Sequence, residues 1–524
     1  MNHKSVSVMV WMNVARQLRD LWQGWIYKDI AAEGMTTAKR IFVMIRYCIT
    51  RQMRFGIKKG IEEQMTQITN KNKNDMAKGA SERRELYKEF QLFEPENPER
   101  KSMVASTEHE ATPTRAHMDS QINNFLQMLK FAIHGASSDN LPKLSEPVDW
   151  NMLEEISKAH NLFPLFHEIA CKYPEYRNRS AYGENINIAI TTVAQQIKKT
   201  EAFLKLYRAF LKADLHPIVM KGLICRQLYG KYAEYRPSGD EDIFVRKCDF
   251  YKVKAILEEH GFVCSLPEVT EAQLDQLQDV GFYESRNSFL IEVHTNIMGH
   301  MNQMRTQMGE CFRDVFEHVR TVVIRDVPVA TMGHTYHFLF LVLHAFKHFS
   351  LSGVGVRQMM DILLYQKKFE QEIAWERVKD ALEANHAAEY FGDLQSIGVE
   401  YLGFDFQVRF RTCSPESLLK DMMEVGVFGK REATDVLAAR INLNAMDQKM
   451  GRVRTWIRAG FPPMQYMING APYLKERPWM LPVEWVKRWG RFFKKARRYD
   501  GNLMADSVKK SQERMELLKK YGLR

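Results

Sequence analysis

What the sequence lacks narrows it first. Its seven cysteines, at positions 48, 171, 225, 248, 264, 311 and 413, contain no CxxC pair. An odd, widely spaced set argues against a disulfide framework or a zinc knuckle and reads as reduced, cytosolic thiols. Long hydrophobic runs are missing too: the most apolar stretch, Phe338 to Phe346, is well short of the roughly 20 residues that span a bilayer. The opening stretch, MNHKSVSVMVWMNVARQLRD, is only briefly apolar and has no small-residue cleavage site, so no secretory signal is expected. There is no internal repeat. These absences point to a soluble, cytoplasmic chain, and they leave room for one that rests on a membrane surface.

What is present is length and positive charge. A chain of 524 residues exceeds one ordinary core and suggests two or three folded units. The net charge of +11 suits polyanionic partners such as nucleotides, nucleic acid or anionic lipid, although solubility alone would also account for it.

Composition divides the chain. Residues 1–68 mix apolar residues with Lys and Arg and read as a basic amphipathic helical extension. Residues 69–119, polar and rich in Asn, Glu, Ser, Thr and Pro, read as a flexible linker. Residues 120–213 are helical by periodicity, with Asp149 or Asn151 placed to cap one helix. Residues 214–330 form a mixed α/β core: extended HPIVMKG, an apolar IFV, a helix stopped near Gly261, then a hairpin of GFYES and SFLIEVHTN around Arg286 and Asn287. Residues 331–400 return to helix, and 401–524 are basic and aromatic. Helices flanking a small mixed sheet make an α+β fold.

The chemistry concentrates in YRPSGDEDIFV, residues 235–245. Side chains two apart on a strand share a face, so Asp240 and Asp242 project together while Glu241 points away. Paired carboxylates repel unless a cation joins them, and Mg²⁺ favours one or two carboxylates plus substrate phosphates. A third acid comes from SFLIEVHTN. There Phe289, Ile291 and Val293 alternate toward the core and Glu292 faces the other way with His294. An acid among apolar residues is an expensive placement unless it meets a cleft or an ion. Many DxD pairs are solvated turns or caps, and a structural salt bridge would also explain Glu292, so local physics leaves both readings open.

From about 120 to 490 the chain resembles the uncharacterised bacterial nucleotidyltransferases of the polymerase-β superfamily. Ordered pieces carry the resemblance: Met220-Lys221-Gly222, Leu228-Tyr229, Arg236, Gly239-Asp240-Glu241-Asp242-Ile243, Glu292-Val293-His294, His344 and His348, Arg357, Asp361-Ile362, and RPWMLP at 477–482. It implies a polymerase-β-like core with helical N- and C-terminal regions. It also implies an acidic triad, Asp240, Asp242 and Glu292, that binds Mg²⁺ or Mn²⁺ and carries catalysis. Lys221-Gly222 stands where other members have a Gly-Ser pair opening a helix near the triphosphate, with no Ser here and a longer gap to Asp240. Lys221, Gly222, Arg236, Gly239, His294, His344, His348 and Arg357 become the candidate nucleotide contacts.

Several of these carry plainer readings. His344 and His348, four apart, could hold zinc, but the glutamate of HExxH is absent and no third ligand is evident, so helix-surface histidines are the simpler account. Arg357 and Asp361 could simply pair on a helix surface. Arg236 could touch the nucleotide or merely neutralise the acids. His294 could position or deprotonate an acceptor hydroxyl. Lys221 could pair with a phosphate or sit on a turn. WVKRWGRFFKKARR, 485–498, could lie on an anionic membrane or stack on single-stranded nucleic acid, or pack its tryptophans onto the body.

The expected function is transfer of a nucleoside monophosphate, AMP from ATP, to a hydroxyl acceptor with release of pyrophosphate. The acceptor could be a small molecule, peptide, protein or RNA. The alternatives are a non-catalytic or membrane-surface binding protein that kept the fold, and a phosphotransferase that moves the γ-phosphate.

Overall fold

The computed structural model describes residues 115–135, 141–266, 268–284, 288–299, 303–351 and 353–425, and further on 461–462, 464–467, 471–474, 477–496 and 503–523. The basic extension 1–68 and most of the linker 69–119 lie outside the described residues. The linker's end needs correction, because a helix already begins at Arg115 and runs to His134. Pro113 is the last residue there that would oppose helix, and the buried Phe125, Leu126, Met128 and Leu129 then give the helix its apolar face.

Seven strands form one mixed sheet: β1 (Ile218–Val219), β2 (Asp240–Phe244), β3 (Val263–Cys264), β4 (Asp279–Glu284), β5 (Phe289–His294), β6 (Val319–Ile324) and β7 (Val327–Met332). Their order is β3-β4-β5-β2-β1-β7-β6. The hairpin β4–β5 is antiparallel, whereas β2 and β5 run parallel with Asp242 opposite Glu292. The fold is α+β.

Alternation along the strands gives the sheet two faces. Val219, Ile243, Ile291 and Val293 turn toward the helix Tyr182–Lys212, whose Phe203, Leu204, Tyr207 and Phe210 recur at helical spacing, and toward Phe250–Glu259. Tyr207 ties helix to sheet by donating to the Pro217 carbonyl and accepting from the Ala330 amide, each at 2.8 Å. Met220, Phe244 and Met332 join a second core built mostly from the helices after the sheet, His334–Leu351, Val356–Phe369, Trp375–Ala384 and Ala388–Leu402. Asp149 caps the helix Trp150–Ala159 by accepting from Met152 N at 2.9 Å.

The chain's end returns to this second core. Leu518, Tyr521 and Leu523 are buried in it, and the Tyr521 hydroxyl donates to Asp393 at 2.7 Å. In the amphipathic helix Leu481–Ala496, Trp485 Nε1 donates to the Pro462 carbonyl at 2.9 Å, and its ring meets Phe461 edge-on. That contact packs Trp485 into a small separate cluster with Met467, Ala471 and Leu474, where packing onto the body was the plain expectation. Among the described residues no helix is long and apolar enough to cross a membrane.

Candidate active site

Two parallel strands at the middle of the sheet bring the acids together. Asp242 and Glu292 are register partners on β2 and β5, and both point away from the face that carries Ile243 and Val293. His294, two residues along β5, points the same way. Asp242, Glu292 and His294 each offer a ligand atom, all within 4.8 Å of one another. Asp240 lies on the same face of β2, half-buried, two residues from Asp242. The convergent group therefore contains His294 beside two of the three expected acids.

Charge in this cluster is unevenly shared. Lys221 Nζ lies 2.9 Å from Asp242 Oδ2, and His294 Nε2 lies 3.0 Å from Oδ1. Burial alone would raise Asp242, but the Lys221 ammonium and His294 hold it well below the usual carboxylate range. Burial would lower His294, yet its hydrogen bond to Asp242 and the Glu292 carboxylate 3.7 Å away lift it to about 9. Glu292 is pushed up to about 8 by burial and then by the Asp279, Asp240 and Asp242 carboxylates, against the pull of His294. Asp240 is raised by burial and by Asp242. Cations serve Asp242 well and leave Glu292 and Asp240 short of positive charge, which is the condition a divalent cation relieves.

This geometry coincides with the one comparison that matches. Residues 146–392 match the family model described as uncharacterised nucleotidyltransferase. That segment is a nucleotidyltransferase domain of this family. No curated protein and no solved structure matches the chain.

Between the acids of the nucleotidyltransferase domain, Glu241 takes the opposite face. It is 1% exposed, pairs with Arg226 at 2.7 Å and accepts from the Leu223 amide at 2.7 Å. Gly222 has φ +28°, and a Cβ there would lie 1.8 Å from Glu241 Oε2. The Lys221-Gly222 pair is thus explained by packing: glycine admits the carboxylate that anchors this turn, and the turn delivers Lys221 to Asp242. Gly239 is exposed, and a Cβ there would meet nothing within 4 Å.

The arginine expectations change. Arg236 is buried and grips Asp361 in a fork, Nε to Oδ1 at 2.8 Å and Nη2 to Oδ2 at 2.5 Å, while the Tyr229 hydroxyl also donates to Oδ1 at 2.9 Å. Asp361 therefore spends its oxygens on Arg236 and Tyr229, and the surface pair expected between Arg357 and Asp361 is replaced by a buried network. Arg357 donates through Nη1 to the Pro237 carbonyl, in the loop that leads to Asp240.

His344 and His348 are not surface histidines. They face inward from the helix His334–Leu351, their Nε2 atoms 3.3 Å apart, with His344 Nε2 3.4 Å from Lys221 Nζ. Burial, followed by the nearby lysines, holds both well below their ordinary value, so both are neutral. Sequence reasoning passed over Lys347 between them, which is 3% exposed. The signal was a single lysine embedded in FLFLVLHAFKHFSL.

Proposed function

We propose that the domain is a metal-dependent nucleotidyltransferase that moves AMP from ATP to a hydroxyl acceptor and releases pyrophosphate. The observation that carries this reading is the facing pair Asp242 and Glu292, joined on one sheet face by Asp240, inside a domain of a nucleotidyltransferase family.

The donor set fits Mg²⁺ through oxygen. His294 belongs to the geometric triad, but its Nε2 proton is given to Asp242, and Mg²⁺ prefers oxygen ligands. Asp240, Asp242 and Glu292 are then the residues that would hold the ion, and His294 is a positioning residue that fixes Asp242. A bound Mg²⁺ lowers the pKa of an acceptor hydroxyl and offsets charge on the leaving pyrophosphate.

The chain's own groups supply the rest. Lys221 presents its ammonium beside Asp242, where it can meet a phosphate oxygen, and Arg357 stands behind the Asp240 loop. Glu292, the one acid on β5, holds its proton to about 8 and is placed to take the acceptor's proton at a carboxylate oxygen once it is ionised. His294, raised and hydrogen-bonded, acts as a donor rather than as the base. The test is Mg²⁺-dependent ATP binding and pyrophosphate release before and after Asp242→Asn. Unchanged binding and turnover would sink the reading, and release of diphosphate in place of pyrophosphate would make the protein a phosphotransferase.

A further inference from the structure

The helix Leu481–Ala496 contributes nothing to the acidic cluster, and only part of its apolar side is covered. Trp485 and Leu481 pack against Met467, Ala471 and Leu474. Glu484 is also held inward, 5% exposed, accepting from the Tyr473 hydroxyl and from Lys487 Nζ, the latter at 2.7 Å. The neighbouring ridge faces outward. Pro482, Val486 and Gly490 recur every four residues and are exposed, Val486 by 48%. Trp479, in the turn Pro478–Met480 that leads into the helix, is 66% exposed.

Cations border this ridge. Lys487 and Arg491, each one residue after a ridge position and four apart, are exposed on the next line around the helix. The bias extends along the sequence, where residues 481–498 hold seven Lys or Arg and one acid, Glu484. A helix that lies in the plane of an anionic lipid surface needs this arrangement. Its apolar side chains enter the acyl boundary, and its cations meet the headgroups.

Two other occupants fit the same residues less well. Single-stranded nucleic acid stacks its bases on open aromatic faces. The helix's described tryptophans are already engaged, since the rings of Trp485 and Trp489 lie 5.3 and 6.0 Å from that of Phe461. A second copy of the chain would set this basic segment against an equally basic one, and like charges repel. We propose that Trp479 and the ridge of Pro482, Val486 and Gly490 dock the protein on an anionic lipid surface, with Lys487 and Arg491 against the headgroups. The proposal is independent of the transferase reading, because none of these residues belongs to the acidic cluster.

The test is cosedimentation of the full chain with phosphatidylcholine vesicles, with and without added phosphatidylserine. Binding is expected to require phosphatidylserine and to weaken as salt rises. Trp479→Ser and Arg491→Glu should each weaken it about tenfold, and Val486→Gln about threefold. All three should melt with the parent protein, since they change exposed side chains. No binding by the parent, or equal binding to both kinds of vesicle, would overturn the proposal. Binding undiminished in Trp479→Ser and Arg491→Glu would also overturn it, by placing the lipid contact elsewhere on the chain. Three further results assign the ridge to another occupant and overturn it as well. These are oligonucleotide binding lost in Trp479→Ser without any vesicle binding, self-association lost in Val486→Gln, and a lowered melting temperature in both variants, which would make the ridge internal packing.

Discussion

The carboxylate of Glu241 occupies the space that a side chain at position 222 would need: a Cβ on Gly222 would lie 1.8 Å from Oε2. Glu241 is held there by Arg226 and by the Leu223 amide, so it has little freedom to withdraw.

Gly222→Ala is therefore expected to destabilise the protein by roughly 2–4 kcal/mol, combining overpacking with a positive φ that alanine resists. It should also weaken ATP binding, because the same turn carries Lys221. Gly239→Ala is the contrast. With open space around it, it should shift stability by no more than about 0.5 kcal/mol and leave ATP binding intact. Urea unfolding and nucleotide titration of the two variants check both statements. Equal behaviour would remove the packing account of Gly222.

Adjacent acids on opposite faces should give opposite phenotypes. Asp242→Asn keeps the side chain's shape and is expected to lower turnover by on the order of 10²-fold or more, with ATP binding losing its Mg²⁺ dependence. Glu241→Gln leaves Arg226 without its buried partner and should cost about 3–5 kcal/mol in stability, while the folded fraction still responds to Mg²⁺. Denaturation curves paired with pyrophosphate-release rates separate the two. Loss of Mg²⁺ response in Glu241→Gln at full stability would contradict the division of roles.

Much of this arrangement was legible in the sequence. Period-two alternation in DEDIF and FLIEVH assigns each side chain to a face, so the direction of Asp240, Asp242, Glu241 and Glu292 follows from chain geometry alone. The antiparallel pairing of β4 with β5 likewise follows from two extended runs and a polar break, while the turn expected at Arg286 and Asn287 lies outside the described residues. The parallel pairing of β2 with β5 did not follow, because it joins segments nearly fifty residues apart and no local pattern specifies the register. The fork of Arg236 on Asp361 was hidden for the same reason, since an arginine before Pro237 looks identical whether it meets a phosphate or a distant aspartate. Lys347 was masked by its neighbours: two histidines at helical spacing drew the reading, and the lysine between them was passed over.

The Arg236–Asp361 fork yields a prediction that distinguishes structure from substrate contact. Asp361→Asn should cost about 3–5 kcal/mol, because it leaves a buried guanidinium without its counter-charge. Replacing both partners, Arg236→Met with Asp361→Leu, should recover a substantial part of that loss, since the pair's desolvation is then no longer required. Chemical denaturation of the single and double variants measures the recovery. A phosphate-binding Arg236 would instead leave stability nearly unchanged and show its effect in ATP affinity.

The metal-free protein should lose stability as pH rises, and Mg²⁺ should oppose that loss. His294 is lifted from 6.5 to about 9, so its contribution is complete below pH 6.5 and disappears as pH climbs through 9. Glu292 is raised from 4.5 to about 8, so between those values the folded protein retains a proton that the unfolded chain has released. Each upward step in pH there favours unfolding. Both slopes have the same sign and together lower the unfolding free energy by roughly 4–5 kcal/mol between pH 6.5 and 9, while Lys347, held at about 7 by burial, acts in the opposite sense over the same range and offsets about half of that fall. Glu292→Gln removes one of them and leaves the fall that belongs to His294. A cation prefers the ionised carboxylate, so saturating Mg²⁺ should raise the melting temperature more at pH 8 than at pH 6. Melting curves in EDTA and in Mg²⁺ at the two pH values provide the measurement. A Mg²⁺ effect that is equal at both, or that persists unchanged in Glu292→Gln, would place the ion away from Glu292.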